Sequence, residues 1–341
     1  MLLWIDGFEG YYTTGTTTID SLLSRRYTSG VSGGVIKSQD GRWGGQCIRM
    51  TGDDNYVFTP TLTTDATLIV GVAYKHTYAT ATKLIMLYDG ATRGMSLGID
   101  ASGELLVYSD ATPVAATSGL GLGLNTWYYL EFKVTCNGTT GSYSARLNGS
   151  VQLSATGVDT KLGTHDYHDK VKLGAYSYTG YTYFDDFYIC DGSGSLNTDL
   201  LGQCRVAVTN PDGENSTNWS TIYPANGAHR TSIDDGTISD DDTTYVEDDT
   251  TGHLDLFDYA SLSTLGTIYG VSVNTNCRVT DANSIDIKTV FESAGDTVTA
   301  TDTISSSTYV TISNICETDP NTSNLWLEAD LNAAHFGFEV G

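Results

Sequence analysis

Apolar residues fall at every second position in short runs along the chain, and turn residues separate the runs. A period of two places alternate side chains on opposite faces of an extended strand. The first clear set is Cys47-Ile48-Arg49-Met50, a turn at Gly52-Asp53-Asp54-Asn55, and Tyr56-Val57-Phe58. Residues 66–74 and 83–88 follow, the second run closed by Asp89-Gly90. Residues 95–99 and 104–108 flank Asp100-Ala101-Ser102-Gly103 and predict a hairpin. The most β-prone run is Trp127-Tyr128-Tyr129-Leu130-Glu131-Phe132-Lys133-Val134. It is answered by 142–147, turned at Asn148-Gly149 into 150–153, and followed by 171–175 and 183–190. Helical signal is thin: 18–27 has a polar cap, and 197–201 and 327–334 suit one or two turns each.

Asp191-Gly192-Ser193-Gly194-Ser195 has flexible-linker chemistry, and the alternation resumes at Cys204-Arg205-Val206-Ala207-Val208. The expected division is a first domain over 1–195, a linker over 196–204 and a second domain over 205–341. Further strands are expected near 267–279, 284–291, 297–300, 309–312 and 336–340. Many short strands with few helices make the expected fold class all-β, a jelly-roll sandwich followed by a smaller β-sandwich.

The charge changes the picture of partners. Across 341 residues, 17 Lys and Arg stand against 41 Asp and Glu, a formal net charge of −24. Such a surface repels phosphate backbones and anionic bilayers, so nucleic acid and membrane insertion are not expected. No apolar run approaches the roughly 20 residues that span a bilayer. Met1-Leu2-Leu3-Trp4-Ile5-Asp6-Gly7 lacks the basic start and long apolar core of a signal peptide, so synthesis in a bacterial cytoplasm is expected. Cys47, Cys136, Cys190, Cys204, Cys277 and Cys316 include no Cys-x-x-Cys pair, and reduced thiols are expected.

The order of features from Cys47 to Cys190 resembles the concanavalin A-like, or laminin-G-like, jelly-roll domains. The matching pieces are Ile48-Arg49-Met50-Thr51-Gly52-Asp53-Asp54-Asn55-Tyr56-Val57, the tryptophan-led strand at Trp127, the hairpin ending in Asn148-Gly149, and Phe184-Asp185-Asp186-Phe187-Tyr188-Ile189. That likeness implies fold rather than function. Each piece also has a plain structural duty. Trp127 is expected to fill the space between two sheets, Asn148-Gly149 to supply positive φ angles, and Asp185 and Asp186 to face opposite sides, one inward and one to solvent.

Catalytic motifs are missing. The alternating acids that would serve a glycosidase on a strand are absent: Glu328-Ala329-Asp330-Leu331-Asn332 ends in an amide, and Asp255-Leu256-Phe257-Asp258 has the wrong spacing. No Gly-x-Ser-x-Gly elbow, P-loop or His-Glu-x-x-His appears, so no enzyme is expected. His165-Asp166-Tyr167-His168 reads as a solvated loop before a metal catch. In the acidic stretch, Asp240, Asp241, Asp242, Asp248 and Asp249 have the oxygen chemistry of a calcium site but not EF-hand spacing, and a solvated loop is the default. No other cofactor is implied.

The C-terminal residues resemble virion structural proteins of tailed bacteriophages, through Asp319-Pro320-Asn321-Thr322, Leu325-Trp326 and Leu331-Asn332-Ala333-Ala334-His335-Phe336-Gly337-Phe338. The resemblance implies a structural component of a phage particle, a capsid decoration protein or a tail-fibre or baseplate subunit. It would contact other virion proteins and itself, as a homo-oligomer located in the virion. The alternative is a carbohydrate-binding adhesin for host-surface glycans, in which Tyr176, Tyr178, Tyr181 and Tyr183 stack on sugar rings. A glycan hydrolase ranks third.

Overall fold

The structure, a computed structural model, describes residues 1–11, 23–27, 35–38, 40–51, 55–62, 64–175, 180–225, 227–235, 240–263 and 266–341. Residues 52–54 of the expected turn, residues 18–22 of the expected helix, and Tyr176 and Tyr178 lie outside the described residues. The chain divides into two compact units, Met1–Val206 and Ala207–Gly341.

Unit 1 holds fourteen described strands: β1 (Leu2–Asp6), β2 (Val35–Ser38), β3 (Cys47–Thr51), β4 (Asn55–Phe58), β5 (Thr67–His76), β6 (Thr82–Asp89), β7 (Thr92–Ile99), β8 (Leu105–Ser109), β9 (Thr112–Ala116), β10 (Tyr128–Thr135), β11 (Gly141–Leu147), β12 (Ser150–Val158), β13 (Lys170–Ala175) and β14 (Tyr181–Asp191). They form two antiparallel sheets. The larger has the order β12-β11-β10-β5-β14-β3-β2, with β1 also on β14; the smaller has the order β4-β13-β6-β7-β8-β9. The alternating residues meet between them. Ile48, Val70, Val72, Tyr74, Leu130, Phe132 and Phe184 of the larger sheet share one apolar core with Val57, Ile85, Leu87, Leu97, Val107 and Leu173 of the smaller. Each such side chain contributes about 1.5–3 kcal/mol on burial. This is the jelly-roll sandwich expected from the alternation.

The turns take the conformations their residues favour. Asn148 and Gly149 have φ of 50° and 84°, and Gly103 has φ of 81° in the β7–β8 hairpin. The polar N-terminal strand end is fixed by a buried carboxylate. Asp6 Oδ2 meets the Arg26 guanidinium at 2.9 Å and accepts hydrogen bonds from the Tyr11 and Tyr27 hydroxyls, each at 2.7 Å.

The described residues of unit 2 hold β15 (Pro211–Thr217), β16 (Thr221–Tyr223), β17 (Tyr245–Glu247), β18 (Leu254–Tyr259), β19 (Val271–Cys277), β20 (Ile285–Ser293), β21 (Asp296–Ile304), β22 (Val310–Cys316) and β23 (His335–Val340), with two single 3-10 turns (Arg230–Ser232 and Asp241–Thr243) and one short α-helix, α1 (Glu328–Leu331). A five-stranded sheet β15-β18-β23-β20-β21 is accompanied by the pairs β16-β17 and β19-β22. Phe257, Ile287 and Phe338 pack with Val246, Val310 and Ile312, and Phe291, Phe336 and Trp326 pack with Val271 and Val273. The second unit is therefore a smaller β-sandwich. Gly337 is required by close approach, since a Cβ there would lie 1.9 Å from the Asp255 carbonyl oxygen. The helical turn expected over 327–334 is α1; residues 197–201 form none. Among the described residues no helix is long and apolar enough to cross a membrane.

Candidate functional site

The outward face of the larger sheet of unit 1 carries the chemistry. Strand register aligns Arg49 on β3 with Tyr183 on β14, and Tyr183 with Lys75 on β5. Trp127 precedes Tyr128, which pairs with Tyr74, so it continues the same row beside Lys75. The result is a line of cation, aromatic, cation, aromatic across four strands. The Lys75 ammonium lies 4.3 Å from the centre of the Tyr183 ring and 4.8 Å from that of Trp127. Tyr181, two positions along β14 and hence on the same face, meets the Tyr183 ring edge-on at 6.3 Å and carries the Arg49 guanidinium 4.3 Å over its own ring. Burial pushes the Tyr183 phenol up, against the opposing effect of its hydrogen bond with Arg49. Tyr183 is 5% exposed and Tyr181 42%, so Tyr181 presents the open ring and Tyr183 is the post between the two cations.

Trp127 corrects an expectation. It does not join the core between the sheets; it stands half-buried on the outer face, against Lys75 and Tyr183. Its neighbour Tyr128 supplies the packing instead. Of the four tyrosines expected to stack on sugars, the described pair, Tyr181 and Tyr183, is brought together.

Further along this face, Tyr188 and Glu131 are covered. Tyr188, Gly71 and Glu131 stand in register on β14, β5 and β10. A Cβ on Gly71 would lie 2.0 Å from the Tyr188 ring, so glycine is what lets that ring lie flat across β5. Its hydroxyl then donates to Glu131 Oε1 at 2.8 Å. Residues 197–206 run over the pair. Gly202 N–H donates to Glu131 Oε1 at 2.8 Å, Leu201 N–H to the Tyr188 oxygen at 3.0 Å, and Val206 N–H to Asp186 Oδ1 at 2.9 Å. The segment expected as a free linker is thus a strap bound to unit 1. The alternation at 204–208 is no strand: Cys204 and Val206 are half-buried while Arg205 is exposed.

Asp185 and Asp186 both turn out buried, not one inward and one to solvent. A bulge interrupts β14 here and Asp186 has φ of 49°, which breaks the period-two phase. Asp185 Oδ2 accepts from Arg42 N–H at 2.8 Å and Oδ1 from Asp186 N–H at 2.8 Å. Asp186 holds the Arg42 guanidinium at 3.3 Å and the Trp43 indole N–H at 2.9 Å. Burial, then the charge of Asp186, pushes Asp185 up to about 8.

The acidic stretch of unit 2 is engaged by the protein itself. Asp240 accepts from Thr244, Asp242 from Arg278 and Tyr309, and Asp248 from Ser220, Thr250 and His253. Burial acts to raise Asp248, yet those hydrogen bonds hold it well below the usual carboxylate range. Asp241 lies 3.5 Å from Asn276, and Asp249 is exposed. Among the described residues no group of three or more His, Cys, Asp or Glu is placed to hold a metal ion. His165 pairs with Asp89 at 2.8 Å and stacks on Tyr167, while His168 is buried, its Nδ1 without a partner. None of the six cysteines is joined in a disulfide.

No protein-family model matches the chain. No curated protein matches it either. Solved structures match part of the chain at low identity. Alginate lyase Aly36B is 11% identical at a TM-score of 0.41, over 55% of this chain and 96% of that one. An endo-β-1,4-glucuronan lyase from the fungus Trichoderma reesei is 9% identical at 0.35, over 42% and 81%. Domain 4 of AbnA, a GH43 extracellular arabinanase from Geobacillus stearothermophilus solved with arabinotriose, is 17% identical at 0.35, over 46% and 75%. A Trypanosoma rangeli sialidase matches at 0.32 and 11% identity, over 48% of this chain and 29% of that one. Each likeness is partial, with a TM-score between 0.32 and 0.41. They correct one expectation, that this chain is no enzyme: lyases and a sialidase stand among its structural neighbours, so missing sequence motifs are no ground for excluding catalysis. The likeness to phage virion proteins rests on the sequence resemblance alone.

Proposed function

We propose that unit 1 is a glycan-binding module and that the outward row Arg49, Tyr183, Lys75 and Trp127, with Tyr181 beside it, is its binding face. The observation that carries this is the placement of the row. The same sheet face is closed over Glu131 and Tyr188 by the strap, whereas Tyr181 presents an exposed ring and Trp127 a half-buried one. Aromatic rings held by neighbours lose little freedom when a sugar ring stacks on them, and flanking donors orient its hydroxyls. The sequence resemblance to tailed-phage proteins suggests a setting for such a module, an adhesin carried on a particle.

A glycan array probed with the intact chain tests this. Retention of a glycan, weakened about three- to tenfold by Tyr181→Ala and by Trp127→Ala, is expected, because a stacked ring contributes on the order of 1 kcal/mol. An array with no retained glycan, or retention unchanged in both variants, would overturn it.

A further inference from the structure

Resting on the glycan-binding reading, we propose that the ligand is an anionic polysaccharide, one bearing carboxylate or sulfate groups, and that Arg49 and Lys75 receive those groups. Among the described residues, eight of the 17 Lys and Arg side chains meet a carboxylate. Arg26, Arg42, Arg93 and Lys133 all do, at 2.7–3.3 Å. Arg49 and Lys75 do not, among the described residues. The Arg49 guanidinium lies 4.3 Å over the Tyr181 ring with no carboxylate beside it among the described residues, and its Nε is buried without a hydrogen-bond partner. Lys75 lies over two rings, and among the described residues its ammonium donates only to the Asp40 carbonyl oxygen at 3.3 Å, which leaves two of its three protons for a ligand. The next carboxylate along the outer face of β14, Asp185, is buried and accepts from two backbone N–H groups.

The spacing narrows the ligand further. Arg49 and Lys75 are two strands apart, which puts their backbones about 10 Å from each other at ~4.8 Å per strand. Tyr183 lies between them and Trp127 beyond Lys75. A polymer with an acid group on each repeat supplies two anions across that gap, and its ring faces meet Tyr181 and Trp127. Most of the negative charge acts at a distance and is screened beyond about 10 Å at 0.1 M salt, while Asp40, whose carbonyl oxygen Lys75 meets, is the acid beside the row that the two cations offset.

Calorimetric titration of the intact chain distinguishes the cases. Three hexasaccharides are used: a uronic-acid hexamer, its carboxyl-reduced neutral counterpart, and the neutral hexamer after sulfation. At least one anionic hexamer is expected to bind about tenfold or more tightly than the neutral one, and which does so identifies the acid. Lys75→Gln and Arg49→Gln are each expected to erase most of that preference, with Lys75→Arg restoring it and unfolding midpoints reporting intact folds. Equal binding of all three would overturn the anionic assignment while leaving glycan binding in place. A preference that survives in a folded double variant would remove Arg49 and Lys75 from it. Binding to none of the three, with a neutral glycan retained on the array, overturns the anionic assignment alone; an empty array defeats both readings.

Discussion

Replacing Gly71 with alanine tests the packing beneath the strap. The added methyl would sit 2.0 Å from Tyr188 Cε1 and 2.5 Å from Cζ, far inside contact distance, and the ring has the sheet below it and the strap above. Moving the ring costs about 1–3 kcal/mol as overpacking. Its hydroxyl also leaves Glu131, whose Oε1 keeps only the Gly202 N–H and whose Oε2 already has no partner. A lost hydrogen bond to a buried carboxylate costs a further ~1.5–3 kcal/mol. The reduced freedom of the unfolded chain returns about 0.5–1 kcal/mol. Gly71→Ala is therefore expected to destabilise unit 1 by roughly 2–5 kcal/mol in urea unfolding followed by tryptophan fluorescence. Gly138→Ala is the control, because the nearest atom to a Cβ there is 4.0 Å away. A second readout is alkylation of Cys204, mapped by mass spectrometry, which is expected to speed up as Leu201 loses its acceptor on Tyr188. A Gly71→Ala chain within about 1 kcal/mol of the parent, with Cys204 equally protected, would refute the reasoning.

Two further outcomes follow from buried charge. Asp6→Ala removes the carboxylate partner of the buried Arg26 guanidinium and the acceptor of two tyrosine hydroxyls, so a loss of about 3–5 kcal/mol is expected in the same unfolding assay; a loss under 1 kcal/mol contradicts the network. Burial lowers His168 from 6.5 to about 4, so below pH 6.5 the unfolded chain takes up a proton that the folded chain refuses. Stability is expected to fall as pH drops from 6.5 to 4, by at most about 3 kcal/mol at ~1.4 kcal/mol per unit. His168→Gln should flatten that limb; an unchanged acid slope would show that His168 is not its source.

Much of the fold was legible because alternation and turn chemistry are local. β5, β10, β14 and the turns at Gly103 and Asn148-Gly149 lie where the residue pattern puts them. What was hidden depends on partners distant in sequence. Trp127 reads as core filler until register with β5 sets its side of the sheet. Asp185 and Asp186 read as opposite-facing until the bulge resets the phase. Residues 197–206 read as linker because Ser, Asn and Gly surround them; their anchors, Glu131 and Tyr188, are about 70 and 13 residues away and themselves look like ordinary strand residues. β9 and β15 were missed because edge strands with exposed, polar or proline-containing sequences carry little alternation. The candidate row was half visible, as tyrosines spaced by two, but its cations come from β3 and β5 and only register brings them in.

The most direct measurement is the position of a bound sugar. A crystal structure of the intact chain, grown with whichever hexasaccharide binds most tightly, is expected to show it on the outward face of the eight-stranded sheet, with sugar rings on Tyr181 and Trp127 and polar groups at Arg49 and Lys75. A sugar lodged on the smaller sheet or in unit 2, with this face bare and open to solvent in the lattice, would contradict the account.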